Sequence, residues 1–192
     1  MKFRLLRRTF PALVLAAAVP AASQAVEVRP LFKAGVDFGG DNIVTATFTD
    51  GSTDSIKAND GLYVAGGALI GTGLQGVEVE VSAGYKYSGI TAGNGDITWT
   101  RFPLEALVFY RFPQFRVGGG PTYHLNPKLK GSGVVGGLNV NVDDALGVVL
   151  QGDYLLWKGR ITLGGRYTIL DYKANGVSAK SNGIGISFGM SF

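Results

Sequence analysis

The sequence predicts an all-β chain, folded as an eight-stranded antiparallel up-and-down transmembrane β-barrel. Three observations carry that expectation. Apolar and polar residues alternate with a period of two through eight segments; the gaps between segments alternate short and long; and the charges of those segments gather on one face. From residue 26 onward no convincing amphipathic helical period competes with this pattern.

The first element is not part of the barrel. Residues 1–25 begin with Lys2, Arg4, Arg7 and Arg8, continue into an apolar run at 12–19, and end with Pro20 and the small-residue stretch Ser23-Gln24-Ala25. A basic start, an apolar centre and a small-residue end describe a secretory signal peptide, cleaved after Ala25. The apolar run falls well short of the roughly 20 residues a spanning helix needs. Arg7-Arg8 has the look of a twin-arginine signal, but that route exports folded proteins and a membrane barrel crosses unfolded. The chain has 192 residues and a formal charge of +4, from 18 basic and 14 acidic groups. Four of the basic groups sit in the signal, so residues 26–192 hold 14 of each sign and form one domain. The basic pI is therefore no sign of nucleic-acid binding, and no nucleic-acid partner is expected. Zero cysteine excludes disulfides, thiolate metal sites, thiol catalysis and lipoprotein anchoring, and a single histidine, His124, limits imidazole chemistry.

The eight strands are expected near 30–39, 62–71, 77–88, 97–110, 115–124, 145–156, 160–171 and 183–192. Two segments show the alternation most plainly. In the third, Val77, Val79, Val81, Ala83, Tyr85 and Tyr87 share one face, and Glu78, Glu80, Ser82, Gly84 and Lys86 share the other. In the last, Ile184, Ile186, Phe188, Met190 and Phe192 oppose glycines and serines. Short turns fall at 72–76, 111–114 and 157–159, and longer polar loops at 40–61, 89–96, 125–144 and 172–182. Ile43–Thr49 and Leu138–Val142 alternate inside two of those loops and read equally as strand extensions.

Alternation alone does not separate a membrane barrel from a soluble lipocalin-like one, because either orientation produces it. Charge does. Lys33, Asp37, Glu78, Glu80, Lys86, Arg101, Glu105, Arg116, Asp153, Arg160 and Arg166 all fall on the polar face, six basic and five acidic. So balanced a set suits pairing in a confined lumen, while the opposite face is nearly uncharged, as lipid requires. Aromatic residues gather near strand ends: Phe32, Tyr110, Trp157 and Phe192 towards the turns, Phe38, Tyr87, Tyr123 and Tyr167 towards the loops. Two such girdles match two membrane interfaces.

A signal, eight strands and Phe188, Met190 and Phe192 in an alternating terminal strand resemble the small outer-membrane barrels of Gram-negative bacteria, the OmpA, OmpX and opacity-protein type. The resemblance covers residues 26–192. It implies outer-membrane lipid and lipopolysaccharide as surroundings, loops outside the cell, and a C-terminal strand read by the barrel assembly machinery. For function it is unspecific, since such barrels serve as adhesins, structural proteins, transporters and lipid-modifying enzymes.

Eight strands enclose a lumen just filled by side chains, so the charged face reads as an ionic plug, with a narrow ion path as its alternative. No catalytic residues, metal site or cofactor are expected. His124 is followed by Leu125-Asn126, so the His-x-Ser motif of lipid A deacylases is absent. Asp54-Ser55 precedes His124, the reverse of the palmitoyltransferase order. Asp143 and Asp144 with Asn139 and Asn141 lack calcium-loop spacing. Lys128 and Lys130 read as solvated loop residues or as contacts to lipopolysaccharide phosphates. Pro103 and Pro121 interrupt adjacent strands, with Pro103 expected opposite His124. They read as curvature-setting bulges or as a lateral opening for a small apolar molecule. The reading adopted is a non-enzymatic barrel for envelope integrity or for engaging a surface ligand through 40–61 and 125–144. Apolar-molecule binding or passage is the second reading and lipid A modification the third.

Overall fold

A computed structural model describes residues 26–48, 50–174 and 176–192. The expected signal peptide lies outside the described residues. Twelve strands form among them: β1 (Glu27–Gly39), β2 (Asn42–Thr47), β3 (Thr53–Lys57), β4 (Gly61–Gly71), β5 (Val77–Ala92), β6 (Gly95–Arg111), β7 (Phe115–Gly131), β8 (Asn139–Asn141), β9 (Ala145–Leu156), β10 (Ile161–Ala174), β11 (Val177–Lys180) and β12 (Gly183–Ser191).

Eight of these are the staves of the barrel. β1 pairs β4, then β5, β6, β7, β9, β10 and β12 follow in order. β12 returns to β1 from Leu31↔Ser191 to Gly39↔Gly183, and every pairing is antiparallel. Closure leaves no stave with an unpaired edge, the condition for a sheet to sit in hydrocarbon. The staves coincide with the eight expected segments to within a few residues, except where they run on past the loop end.

That extension is the main departure. The expected loop 89–96 is strand: β5 and β6 continue to the pair Ala92↔Gly95 and turn in two residues, Gly93-Asn94. Ile90 faces Ile97, both buried, so an inward apolar pair holds the ladder together above the barrel. β7 also runs on to Gly131, where Lys128–Lys130 pair with Asn139–Asn141. The alternating Leu138–Val142 and Ile43–Thr49 segments thus do supply strands, β8 and β2. β2 pairs only with β3, making a separate hairpin, and β11 folds back on β10.

The expected pairing Pro103↔His124 is present. Pro103 points inward and is buried, whereas Pro121 points outward. The irregularity of the β6–β7 ladder lies just above them, between Thr100 and Phe102, opposite Asn126 with φ of 47°. One extra residue there shifts the phase of β7, so that Pro127 and Leu129 turn inward after His124. Pairing continues on both sides of Pro103, and the void beside it holds about 10 Å³. The ladder is interrupted instead at Pro121, where Ala106 and Leu107 have no partner on β7, and resumes at Val108↔Gly119.

Candidate functional site: a charged lumen beneath an apolar cap

Small residues at inward stave positions create room for the long charged side chains. A side chain at Gly35 would strike the Tyr63 ring, and one at Gly185 would strike the Asp37 carboxylate. Into this space project ten of the eleven charged residues expected on the polar face, and all ten are buried. The eleventh, Arg160, is a correction. It follows the turn Trp157–Gly159 and precedes β10, so its side chain escapes to solvent at the rim while its carbonyl accepts the Ser191 N–H at 2.8 Å. Without Arg160 the buried set holds five basic and five acidic groups.

The ten are arranged in tiers. Nearest the turns, Glu78 receives Arg111 at 2.8 Å and Arg29 at 3.4 Å. Neither arginine was among the expected lumen residues, although Arg29 shares strand phase with Lys33 and Arg111 with Arg101. In the next tier Glu80, wholly buried, accepts from Lys33 at 2.5 Å and from Arg116 at 2.8 Å. Arg116 also donates to Asp153 at 2.8 Å and lies over the Phe109 ring at 3.9 Å, adding a cation–π contact. Higher still, Arg166 pairs with Glu105 and reaches Asp37 at 3.7 Å, and Lys86 donates to Asp37 at 2.6 Å. Each carboxylate meets at least one cation, as charges removed from water require.

Arg101 differs from the rest. Among the described residues it has no carboxylate within ion-pair distance; it donates to the backbone carbonyl of Asp60 at 2.6 Å and lies 5.2 Å from the centre of the Trp99 ring. It holds down the segment that follows β3. Trp99 Nε1 donates to the Ala58 carbonyl at 3.2 Å, and Lys86 to Asn59 Oδ1 at 3.2 Å. Ala58 and Asn59 are fully buried, so the first long connection does not stand free in solvent but dips into the barrel mouth. Its apolar residues Ile56 and Ala58 were the sequence signal for this, hidden because they lie in a polar, glycine-containing stretch.

Above that seal sits an apolar core built from the loop end. Ile56, Ile90, Ile97, Trp99, Leu129, Leu170 and Tyr172 are buried together, with Val44, Leu138 and Val140 packed against them. Trp99 and Tyr172 meet edge to face at 5.3 Å. The sequence showed two of its strands, in the alternating Ile43–Thr49 and Leu138–Val142 segments, but not that they join Trp99 and Tyr172 in one core.

His124 is buried at the junction of plug and cap, with Nδ1 bonded to the Tyr172 hydroxyl. Thr122 is buried beside it on the same face. Asp54 lies exposed on the β2–β3 hairpin, where its carboxylate accepts the Ser55 N–H at 2.8 Å. His124 therefore meets a tyrosine and not an acid–serine pair. Asp144 accepts the Asn126 N–H at 2.7 Å and the Tyr123 hydroxyl at 3.3 Å, pinning the β7 bulge. Among the described residues no group of three or more His, Asp or Glu side chains is placed to hold a metal.

The outer face completes the picture. All eight girdle aromatics are exposed, as are Ile184, Ile186 and Phe188 of the last stave. The Phe192 N–H donates to the Pro30 carbonyl at 3.1 Å, tying the C-terminus to the first stave.

No protein-family model and no curated protein sequence matches the chain. Solved structures do. Ail, the attachment invasion locus protein of Yersinia pestis, solved in complex with the heparin analogue sucrose octasulfate, aligns with a TM-score of 0.50 at 11% identity, covering 86% of this chain and 97% of Ail. Neisserial surface protein A aligns with a TM-score of 0.47 at 15% identity, covering 88% and 98%. The likeness to Ail is one of fold: this chain has the architecture of the small eight-stranded outer-membrane barrels.

Proposed function

We propose that this chain is a non-enzymatic outer-membrane protein that engages a ligand at the cell surface through its loop end. The observation carrying this reading is the division between a plugged barrel and an ordered cap. A lumen filled by paired charges has no path for solute, and an apolar belt between two aromatic girdles suits a bilayer. The loop-end connections meanwhile share one apolar core, which presents them as a surface instead of leaving them as separate flexible loops. Export by residues 1–25 and recognition of the 183–192 strand by the assembly machinery place both termini in the periplasm and the cap outside, bordered by lipopolysaccharide. That Ail is by name an attachment protein supports the same reading.

The test is replacement of the exposed tip residues 50–52 and 133–134 by Gly and Ser, which leaves Phe48 and Val135, packed against the core, in place. Heat-modifiable gel mobility would verify that the barrel still forms. The expected result is loss of cell or serum-factor binding with an intact barrel. Unchanged binding, together with altered envelope permeability in a deletion strain, would favour an envelope-integrity role instead.

A further inference from the structure

We propose that the charged lumen binds one long-lived water molecule, held between the Asp37 carboxylate and the Arg166 guanidinium. The site is a cavity of about 10 Å³ whose lining includes Asp37, Tyr63, Ala65, Arg166 and Thr168. A water needs roughly 10–15 Å³ of free space and two to four polar partners. The volume admits one water and no more.

The partners are waiting. Four polar atoms of the lining residues, Asp37 Oδ1, Tyr63 Oη, Arg166 Nε and Thr168 Oγ1, make no hydrogen bond among the described residues. Their residues are only 2–6% exposed, so bulk solvent does not serve them. Buried polar atoms are nearly always paired, and ordered water is the partner where the protein supplies none. Arg166 Nε and Asp37 Oδ1 stand 3.7 Å apart, too far for a direct hydrogen bond, which leaves both free for a shared third atom.

The chemistry of the walls selects the occupant. Arg166 Nε–H donates, Asp37 Oδ1 accepts, and the two hydroxyls do either. One atom that both donates and accepts satisfies the set. A cation would meet Arg166 and the Lys86 ammonium, and an anion the Asp37 and Glu105 carboxylates, all of which line the cavity. An apolar occupant would leave the four polar atoms unpaired. Water meets every condition.

Its place gives it a role. Above it, Lys86 donates to Asn59 at 3.2 Å and to Asp37 at 2.6 Å. Below it, Arg166 pairs with Glu105, Lys33 reaches Glu105 at 3.4 Å and Glu80 at 2.5 Å, and Arg116 joins Glu80 to Asp153. The step from Asp37 to Arg166 is the one in this chain without a hydrogen bond. The water supplies it, and so connects the segment sealing the barrel mouth to the lower ion pairs.

This inference goes beyond the surface-ligand reading and does not rest on it, because the tip replacements leave these residues in place. The test uses the barrel folded in deuterated detergent, with protons kept only at alanine and threonine methyls. Water–methyl Overhauser effects are expected at Ala65 and Thr168, with the sign of a proton pair tumbling with the protein. Ala83, exposed on the lipid-facing side of β5, should show none. Oxygen-17 relaxation dispersion, which is blind to exchanging hydroxyl protons, should count one long-lived water fewer in Ala65→Val, which fills the cavity. Thr168→Val keeps the shape, removes one of four partners and should shorten the residence about fivefold. Heat-modifiable mobility verifies that each variant is folded, and the wild-type Overhauser effects decide occupancy without either. Their absence at both methyls would overturn the site, as would an unchanged water count in folded Ala65→Val. Effects that fade as sodium chloride is raised would put an ion there instead. Effects of the fast-exchange sign would replace the single site with a hydrated lumen.

Discussion

The same inward-facing positions do opposite chemistry in the two halves of the molecule. On β10, Arg166 and Thr168 face the lumen while Tyr167 and Ile169 face outward; a few residues on, Leu170 and Tyr172 face inward while Asp171 and Lys173 face out. β5 shows the same reversal, from inward Glu80 and Lys86 to inward Ile90. The strand never changes phase in these cases; only the surroundings do. At membrane depth the exterior must be apolar, so polarity collects inside and survives by pairing. Above the girdle the exterior is water, and the ordinary rule of apolar inside returns. The level where inside and outside exchange character marks the outer membrane boundary. It also separates a region held by ion pairs from one held by packing.

That contrast can be broken most forcefully in the lower half. Arg116→Ala leaves Asp153 buried without its cation and Glu80 with Lys33 alone, and should cost about 3–5 kcal/mol in urea unfolding from lipid vesicles. A loss below about 1 kcal/mol would show the plug to be solvated. In the upper half, Trp99→Ala removes the cap's floor and should cost about 3 kcal/mol, confined to the cap. Hydrogen exchange should rise in 42–57 and 177–180, while the barrel keeps its heat-modifiable mobility. Uniform loosening of both halves would mean that plug and cap are one cooperative unit.

At the boundary, Asp144→Ala frees the Asn126 N–H at the bulge and should cost about 1.5 kcal/mol, seen as faster exchange at Asn126. The smallest effect lies at the hairpin tip, where Ser52 donates to Asp50 through its hydroxyl at 2.6 Å and its N–H at 2.9 Å, holding that carboxyl below its ordinary range. A depressed folded-state value contributes to the turn above the unfolded pKa and is lost as pH falls through the folded one. The Ser52 amide shift should therefore titrate with a midpoint below that of a free aspartate, and Asp50→Asn should abolish the transition.

How much of this was legible in the sequence depends on which half is considered. In the lower half alternation constrained nearly everything, because a two-residue period with lipid on one side assigns each side chain a face; even Arg29 and Arg111, overlooked as lumen residues, carry the right phase. Arg160 shows the limit of that rule, since a turn residue keeps the strand's parity but not its direction. The stretch 89–96 reads in sequence as a long polar loop, yet Gly93-Asn94 closes a two-residue hairpin.

By itself, then, the sequence determined the staves, their register across Pro103 and His124, and the charged face, because all of these follow from local periodicity. Only the tertiary structure decided which carboxylate meets which cation, that Arg101 grips the Asp60 carbonyl, and that residues 56–60 enter the barrel mouth. The cap likewise belongs to it, as does its Trp99–Tyr172 floor. The physical reason is that the cap's contacts join segments with no shared period: Ile56, Trp99, Leu129 and Tyr172 become neighbours only once the cylinder closes and stacks its loop ends together.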